Sequence, residues 1–382
     1  MSGYEGLNRG LVGELVGGGE LADGWREAFL STPRHLFVPD VVWDDGDDGV
    51  LRASSRAEDP AGWLAAVYGD EAIVTQVDDG AASDDGTGRR VTSSISKPSI
   101  VARMLGHLQL EAGMRVLEIG TGTGWNAALL ARVAGERNVV SVEVDGGLAE
   151  RARKALAEAG LSPLVVTGDG AEGHARGAPY DRVIATASAQ TVPYSWVAQT
   201  RPGGIILAPW GNAYDNGALV RLTVDAHGAA YGPFVDNTVA FMWLRAQRVP
   251  RPGPPVDLAG ASESSTTLHP DAVAWDDYDA RFAVGLRLPD VTVRFADADG
   301  DDFAFWASAG TSWACVDVTG GPVHRVRQKG PRSLWTEIEA AHRWWEEKGR
   351  PGTGRFGLAV TRDRQYAYLD VPDDPVSRCV SA

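Results

Sequence analysis

The chain has 382 residues, a length that suits two domains, and its 44% apolar content supplies a sizeable core. Against 51 Asp and Glu stand only 36 Lys and Arg, a net charge of −15 that argues against nucleic acid as the main partner, since phosphate binding wants a basic surface. Two cysteines, Cys315 and Cys379, make no disulfide framework, no Cys/His cluster has metal-site spacing, and neither a signal-peptide pattern nor a membrane-spanning apolar run is visible, so a soluble cytoplasmic protein without metal or membrane partner is expected.

In chain order, Asn8 to Val16 and Trp25 to Leu30 carry apolar residues at helical spacing, and Pro33 ends the second stretch. Residues 41–62 and Asp78 to Arg90 are rich in Asp, Gly and Ser and read as surface loops; residues 1–91 are thus expected as a helical region with acidic loops. From Thr92 onward the pattern alternates. Strands are predicted at Val116–Ile119, Val139–Val144, Leu164–Thr167, Asp181–Thr186 and Gly204–Pro209, with helices at Trp125–Val133 and Leu148–Ala159. This order predicts an α/β fold, a mostly parallel sheet with helices on both faces, over residues 92–247. Leu219–Val224 and Thr238–Leu244 would close it as a hairpin-like end.

The proline-rich run Val249 to Pro255 and the Ser/Thr-rich stretch behind it mark a linker over 248–264. Residues 265–382 read as a smaller α+β domain. Strands are expected at Phe282–Leu288, Val291–Phe295, Phe303–Trp306, Trp313–Val318 and Phe356–Val360, with one amphipathic helix from Ser333 to Glu347. Its Trp335, Trp344 and Trp345 read as domain core, a peptide platform being the minor alternative.

The chemistry concentrates after the strand Val116–Ile119. Gly120, Gly122 and Gly124 alternate with Thr121 and Thr123 and lead into Trp125 and Asn126, in the place where open α/β sheets bind ligands. A dinucleotide fingerprint would need glycine at 125. Glu118 would be unwelcome beside a diphosphate but suits the ammonium and sulfonium of S-adenosylmethionine. Glu143, with Val144 behind it, ends the next strand and can take both ribose hydroxyls. In the turn Gly168-Asp169-Gly170, the Asp169 carboxylate can accept from an adenine amine, although an Asx-type turn explains it nearly as well.

These segments resemble the protein L-isoaspartate O-methyltransferase family. The likeness rests on Thr92 to Ala102, Val116 to Asn126, Gly168-Asp169-Gly170, Ala178 to Thr186, Arg201-Pro202-Gly203-Gly204 and Pro33 to Pro39, and spans about residues 20–245. It implies a Rossmann-like class I methyltransferase fold, S-adenosyl-L-methionine as cofactor, S-adenosyl-L-homocysteine as product, and methylation of a carboxylate oxygen. Ser94 and Ser96, with the extra Ser93, would orient that carboxylate; a helix-capping role for Ser96 is the competing reading. The extended form, with Tyr68 to Gln76, the serine-rich loop and the Trp344-Trp345 helix, is similar to the methyltransferases of ATP-grasp peptide maturase systems (graspetide biosynthesis). That likeness implies a modified peptide partner: an Asp side chain of an ester-cyclised, ribosomally made peptide, methylated on the way to aspartimide or isoaspartate. Methylation of a lanthipeptide and general isoaspartyl repair are the alternatives.

Overall fold

A computed structural model describes residues 3–46, 48–83, 85–249, 258–297, 303–318, 320–376 and 380–381. Asp47 of the acidic run, most of the proline-rich boundary and Cys379 lie outside the described residues. The chain divides into two compact units. The first comprises Met1–Ala187, Ser195–Leu207 and Thr223–Ala226; the second comprises Ser188–Tyr194, Ala208–Leu222 and His227–Ala382.

The first unit opens with helices α1 (Gly3–Gly17) and α2 (Arg26–Leu30). An antiparallel sheet follows, made of β1 (Val41–Asp45), β2 (Leu51–Ser55), β3 (Ile73–Val77), β4 (Thr87–Gly88) and β5 (Val91–Ile95), in the order β4-β2-β1-β3-β5. Helix α3 (Pro60–Val67) lies between β2 and β3 in sequence, and Asp59 caps it through Gly62 N. The expectation of helices and acidic loops over 1–91 therefore needs correction: the first acidic stretch is a hairpin. Its strands carry Asp44, Asp45, Arg52, Ser54 and Ser55, charged and polar residues that mask strand periodicity in sequence.

Helix α4 (Pro98–Leu108) leads into the parallel strands β6 (Val116–Ile119), β7 (Val139–Glu143), β8 (Leu164–Thr167) and β9 (Tyr180–Ala185). Helices α5 (Trp125–Ala134) and α6 (Gly146–Glu158) make the crossovers, and α7 (Tyr194–Gln199) precedes β10 (Thr200–Trp210). The spatial order β8-β7-β6-β9-β10 means that the chain first winds outward from β6 and then returns to its other side. A switch point therefore opens beyond the carboxyl ends of β6 and β9, where such sheets bind ligands.

Strands β11 (Ala218–Val224), of which residues 218–222 belong to the second unit, and β12 (Ala230–Asp236) adjoin the later strands β18 (Phe356–Val360), β19 (Arg364–Leu369) and β20 (Val380–Ser381) in the order β11-β12-β18-β19-β20. The partner of β11 is thus 230–236 and not the predicted 238–244. Gly232 and Pro233 disguise the strand, yet glycine is needed there, because a Cβ would collide with the Arg221 carbonyl.

A second antiparallel sheet of β13 (Ser262–Thr266), β14 (Thr292–Asp297), β15 (Phe303–Ala309), β16 (Ser312–Asp317) and β17 (His324–Lys329) packs with α8 (Tyr278–Arg287) and α9 (Leu334–Glu347) around Val284, Phe305, Val326, Trp335 and Ile338. Residues 282–288, expected as a strand, lie mainly in α8. Asp277 caps that helix by accepting from the N–H groups of Asp279 and Ala280. The run Phe282 to Leu286 is buried all round, so its periodicity could not separate helix from strand. Trp335 and Trp345 are core residues, while Trp344 is half-buried under the Arg287 guanidinium.

Candidate functional site

The glycine loop sits at the switch point. Gly120, Gly122 and Gly124 have φ of +93°, +54° and +91°, a region that L side chains rarely enter. A Cβ on Gly120 would stand 2.7 Å from the Thr186 hydroxyl at the end of β9, and one on Gly124 would press on Ala152 of α6 at 3.3 Å. Thr186 ties the two strand ends, its N–H donating to the Ile119 carbonyl at 2.8 Å and its hydroxyl to the carbonyl of Gly120.

Beneath the loop lies a closed polar network. Glu118 is fully buried; its carboxylate accepts from Asn126 Nδ2 at 2.7 Å and from the Ser141 hydroxyl, which meets Thr121 Oγ1 at 2.5 Å. Burial pushes the Glu118 carboxyl up to about 7, against the two hydrogen bonds that favour its ionised form. This acid holds the loop from below, through Asn126 directly and through Ser141 to Thr121. Thr123 is half-exposed.

Glu143 ends β7 with Oε2 accepting from Gly122 N at 2.8 Å and Oε1 from Asp145 N at 3.0 Å. One carboxylate thus fixes the glycine loop and the turn into α6, and each oxygen keeps a further lone pair for a ligand hydroxyl. Val144 is exposed beside it. Asp169 is exposed and uses Oδ1 to accept from Ala171 N at 2.9 Å; Gly170 is buried, its carbonyl accepting from Trp196 Nε1. The turn reading and the ligand reading of Asp169 are thus compatible, because its second oxygen is not needed for the turn.

For Trp125, a place lining the cofactor and a place packed under the loop are the two readings of the sequence, and the structure shows it packed. Its indole is buried edge-on to Phe29, lies 5.4 Å from the Arg34 guanidinium and donates to the Thr32 carbonyl at 3.3 Å. A residue directly after a glycine loop looks like a ligand contact in sequence, but the first turn of α5 points it at the N-terminal segment.

The serine segment comes up against the same loop. A Cβ on Gly122 would be 3.8 Å from the Ser94 carbonyl and 3.9 Å from Ser93 Oγ. Ser93 is buried and accepts from Thr75 Oγ1 at 3.2 Å, whereas the half-buried Ser94 and Ser96 hydroxyls make no hydrogen bond among the described residues. Ser96 does not cap α4. Lys97 occupies the N-cap, and the Ser99 N–H is taken by Asp70 Oδ1 at 2.8 Å.

What fixes this segment is Arg34, which sequence reasoning placed in a signature without a role. Fully buried, its guanidinium donates to the carbonyls of Val67 (2.7 Å), Glu71 (2.8 Å) and Ser96 (3.0 Å), and more weakly to Gly69 and Ile95. Burial lowers its pKa to about 10, with Asp70 opposing, so it stays charged at neutral pH. Gln76 supplies a second link that the sequence did not single out, donating to Asp145 Oδ2 at 3.3 Å and accepting from Thr92 Oγ1 at 3.0 Å. The only sequence signals for either residue were a buried-sounding neighbourhood and a polar side chain within it. His35, by contrast, is occupied with the Tyr68 hydroxyl at 2.6 Å.

The described residues contain no cluster of His, Cys, Asp or Glu able to hold a metal ion, and no helix long and apolar enough to cross a membrane.

Comparison with known proteins gives a consistent picture. Residues 66–241 match the family model described as protein-L-isoaspartate(D-aspartate) O-methyltransferase. A protein-L-isoaspartate O-methyltransferase of Leptothrix cholodnii is 37% identical over 218 residues, 55% of this chain and 69% of that one. One from Anaeromyxobacter dehalogenans is 50% identical over 122 residues, 31% of this chain and 57% of the relative. The chain spans a little over half the length of the first curated relatives that it matches, 53–57%. A solved protein-L-isoaspartate O-methyltransferase aligns with 95% of this chain and all of its own at a TM-score of 0.54 and 23% identity, a likeness of fold. The expected class I α/β methyltransferase fold, with additional C-terminal strands, is the one observed.

Proposed function

Since the chain belongs to the protein-L-isoaspartate(D-aspartate) O-methyltransferase family, we propose that it transfers the methyl group of S-adenosyl-L-methionine to a carboxylate oxygen on an aspartate-derived side chain of a peptide or protein. The observation that carries this reading is the approach of two unlike surfaces. A glycine loop held by Glu143 stands against a serine segment whose Ser94 and Ser96 hydroxyls are uncommitted. The residues present fit the cofactor: three glycines whose positive φ shapes a tight loop with bare backbone, Glu143 for the ribose, exposed Val144 and Asp169 for the adenine, and the Asn126–Glu118 pair under the methionine end.

When bound, S-adenosyl-L-methionine supplies an electrophilic methyl carbon on sulfonium and leaves as S-adenosyl-L-homocysteine. The protein's own task is then alignment. A free carboxyl with pKa near ~4 is ionised at neutral pH, so no general base is required. Ser94 and Ser96 donate to one carboxylate oxygen and leave the other to attack, with reacting atoms about 3–3.5 Å apart. Arg34 keeps both serines in register through the Ile95 and Ser96 carbonyls, without offering its charge to the acceptor. The methyl ester formed is open to attack by the following backbone amide. A C–N bond forms, methanol leaves with the amide proton, and an aspartimide results, which water can open to isoaspartate.

Within this activity we propose an ester-cyclised, ribosomally made peptide as the preferred acceptor. Its support is the sequence likeness in Tyr68 to Gln76, the extra Ser93 and the Trp344-Trp345 helix. The C-terminal unit alone is no support, because the fold likeness to a solved isoaspartyl enzyme runs over nearly the whole chain. General isoaspartyl repair is the reading that the relatives' names favour. Turnover of the full chain on the two peptide classes separates them. Faster methyl gain and methanol loss on the cyclised peptide is expected; equal or greater activity on linear isoaspartyl peptides would remove the finer reading and leave the repair activity.

A further inference from the structure

Beside the serine segment, the N-terminal sheet carries a groove of about 510 Å³ that the proposed methyl transfer does not use. Strands β1 and β3 are in register at the single pair Trp43–Val74. The groove opens there against α3, lined by Trp43, Asp44, Asp45, Asp59, Trp63 and Glu71 among others. Four of its described lining residues are acids and none is Lys, Arg or His, with the adjacent Asp44 and Asp45 side chains directed to opposite faces of β1. Cations sit at its margins: Lys97 lies 3.8 Å from Glu71, Arg56 lies over the Trp63 ring at 4.7 Å, and Arg52, the register partner of Asp44, pairs with Asp48 at 2.7 Å. One guanidinium is therefore already seated on one of the two indoles, which illustrates the chemistry that the groove accepts. Asp44 and Asp45 are exposed and Trp43 is half-buried.

Position gives this surface its meaning. Val74, at the groove's edge, is the register partner of Ser94 in β5. Neighbouring strands are about 4.8 Å apart, and an extended chain advances about 3.3 Å per residue. A peptide with its acceptor carboxylate at Ser94 would thus reach the groove within a few residues.

We propose that this groove binds a Lys- or Arg-bearing segment of the peptide substrate adjacent to the methylated residue, and so gives the enzyme a preference for acceptors in basic sequence. The assignment rests on the methyl-transfer reading of Ser94. Its occupant follows from charge complementarity: the carboxylates favour a cation electrostatically, and the half-buried Trp43 indole can pack its charged head and aliphatic stem.

The test uses the full chain and three isoaspartyl peptides that differ only in flanking pairs of Lys, Ser or Glu. Expected are values of kcat/KM in the order Lys, Ser, Glu, with Lys over Ser by about three- to tenfold, mainly through KM and shrinking at high salt, as two screened ion pairs would give. Combining Asp44→Asn with Asp45→Asn should bring the Lys-to-Ser ratio to about one; Glu71→Gln, a second variant in case the first fails to fold, should lower it by less. A flat order among the peptides, or a ratio that the variants leave intact, overturns the proposal even while the Ser-flanked peptide is methylated and the activity stands. Should no peptide be methylated, the activity is what fails. Fluorescence anisotropy with the labelled peptides then still decides the groove, by tighter binding of the Lys peptide in the parent chain than in the variants. Sedimentation showing a dimer that the Lys peptide cannot dissociate would place a second copy in the groove and contradict the assignment.

Discussion

The glycine loop and the serine segment lie against each other and are built on opposite plans. Around the loop, the side chains of Glu118, Asn126, Ser141, Thr121 and Glu143 spend themselves on one another and on the loop's backbone. Along the serine segment the backbone is pinned by Arg34, and the Ser94 and Ser96 hydroxyls are left over. A rigid cradle suits a ligand that is always the same, and a fixed backbone with free hydroxyls suits acceptors that differ in shape. The difference teaches where substitutions should be felt as affinity and where as rate.

The largest effect is expected at Arg34. Arg34→Met leaves several buried carbonyls without a donor, so stability should fall by about 3–5 kcal/mol, read as a lower urea midpoint with an unchanged slope. Next comes Gly120→Val, which combines a positive φ with a clash against Thr186. Cofactor affinity should drop about 100-fold by calorimetry, as roughly 3 kcal/mol of strain would give, and retention of normal affinity would break the rigid-cradle half of the comparison.

These two residues also mark what could be read in the sequence. The glycines, Glu143 and the alternating strands were legible because backbone freedom and strand-end acids leave local signatures. Arg34 was not, because its partners are carbonyls 33 to 62 residues away, and carbonyls have no residue type. Trp125 stayed open between two readings for a related reason: spacing sets the direction of a helix's first turn but not what has folded against it. The hairpin β1–β2 hid behind its acids, and α8 behind a run apolar on every side.

Smaller is the expected effect of Ser94→Ala and Ser96→Ala. Each should lower kcat about two- to tenfold, the worth of one hydrogen bond, with cofactor affinity and melting temperature unmoved. A change in cofactor affinity instead would merge the two regions into one.

Smallest is a pH effect from Glu118. Its folded pKa, raised by burial to about 7, means that the native state binds more protons than the unfolded one between the ordinary carboxylate range and that value. Stability should therefore be highest below about pH 4.5 as far as this group is concerned, and decline as pH rises toward 7. Glu118→Gln should flatten that slope by a few degrees of melting temperature across pH 5 to 8, of the order that 1 kcal/mol produces. An unaltered slope would mean that the carboxylate is not the group titrating under the loop.

The central claim is that cradle and serine segment together esterify a carboxylate. The most direct measurement incubates the full chain with cofactor labelled in its methyl group and an isoaspartyl or ester-cyclised Asp peptide, then raises the pH and collects volatile label. The account predicts label in the peptide that is released as methanol by base and absent when the acceptor carboxylate is replaced by its amide. Label that resists base, or no label while calorimetry shows bound cofactor, would contradict it.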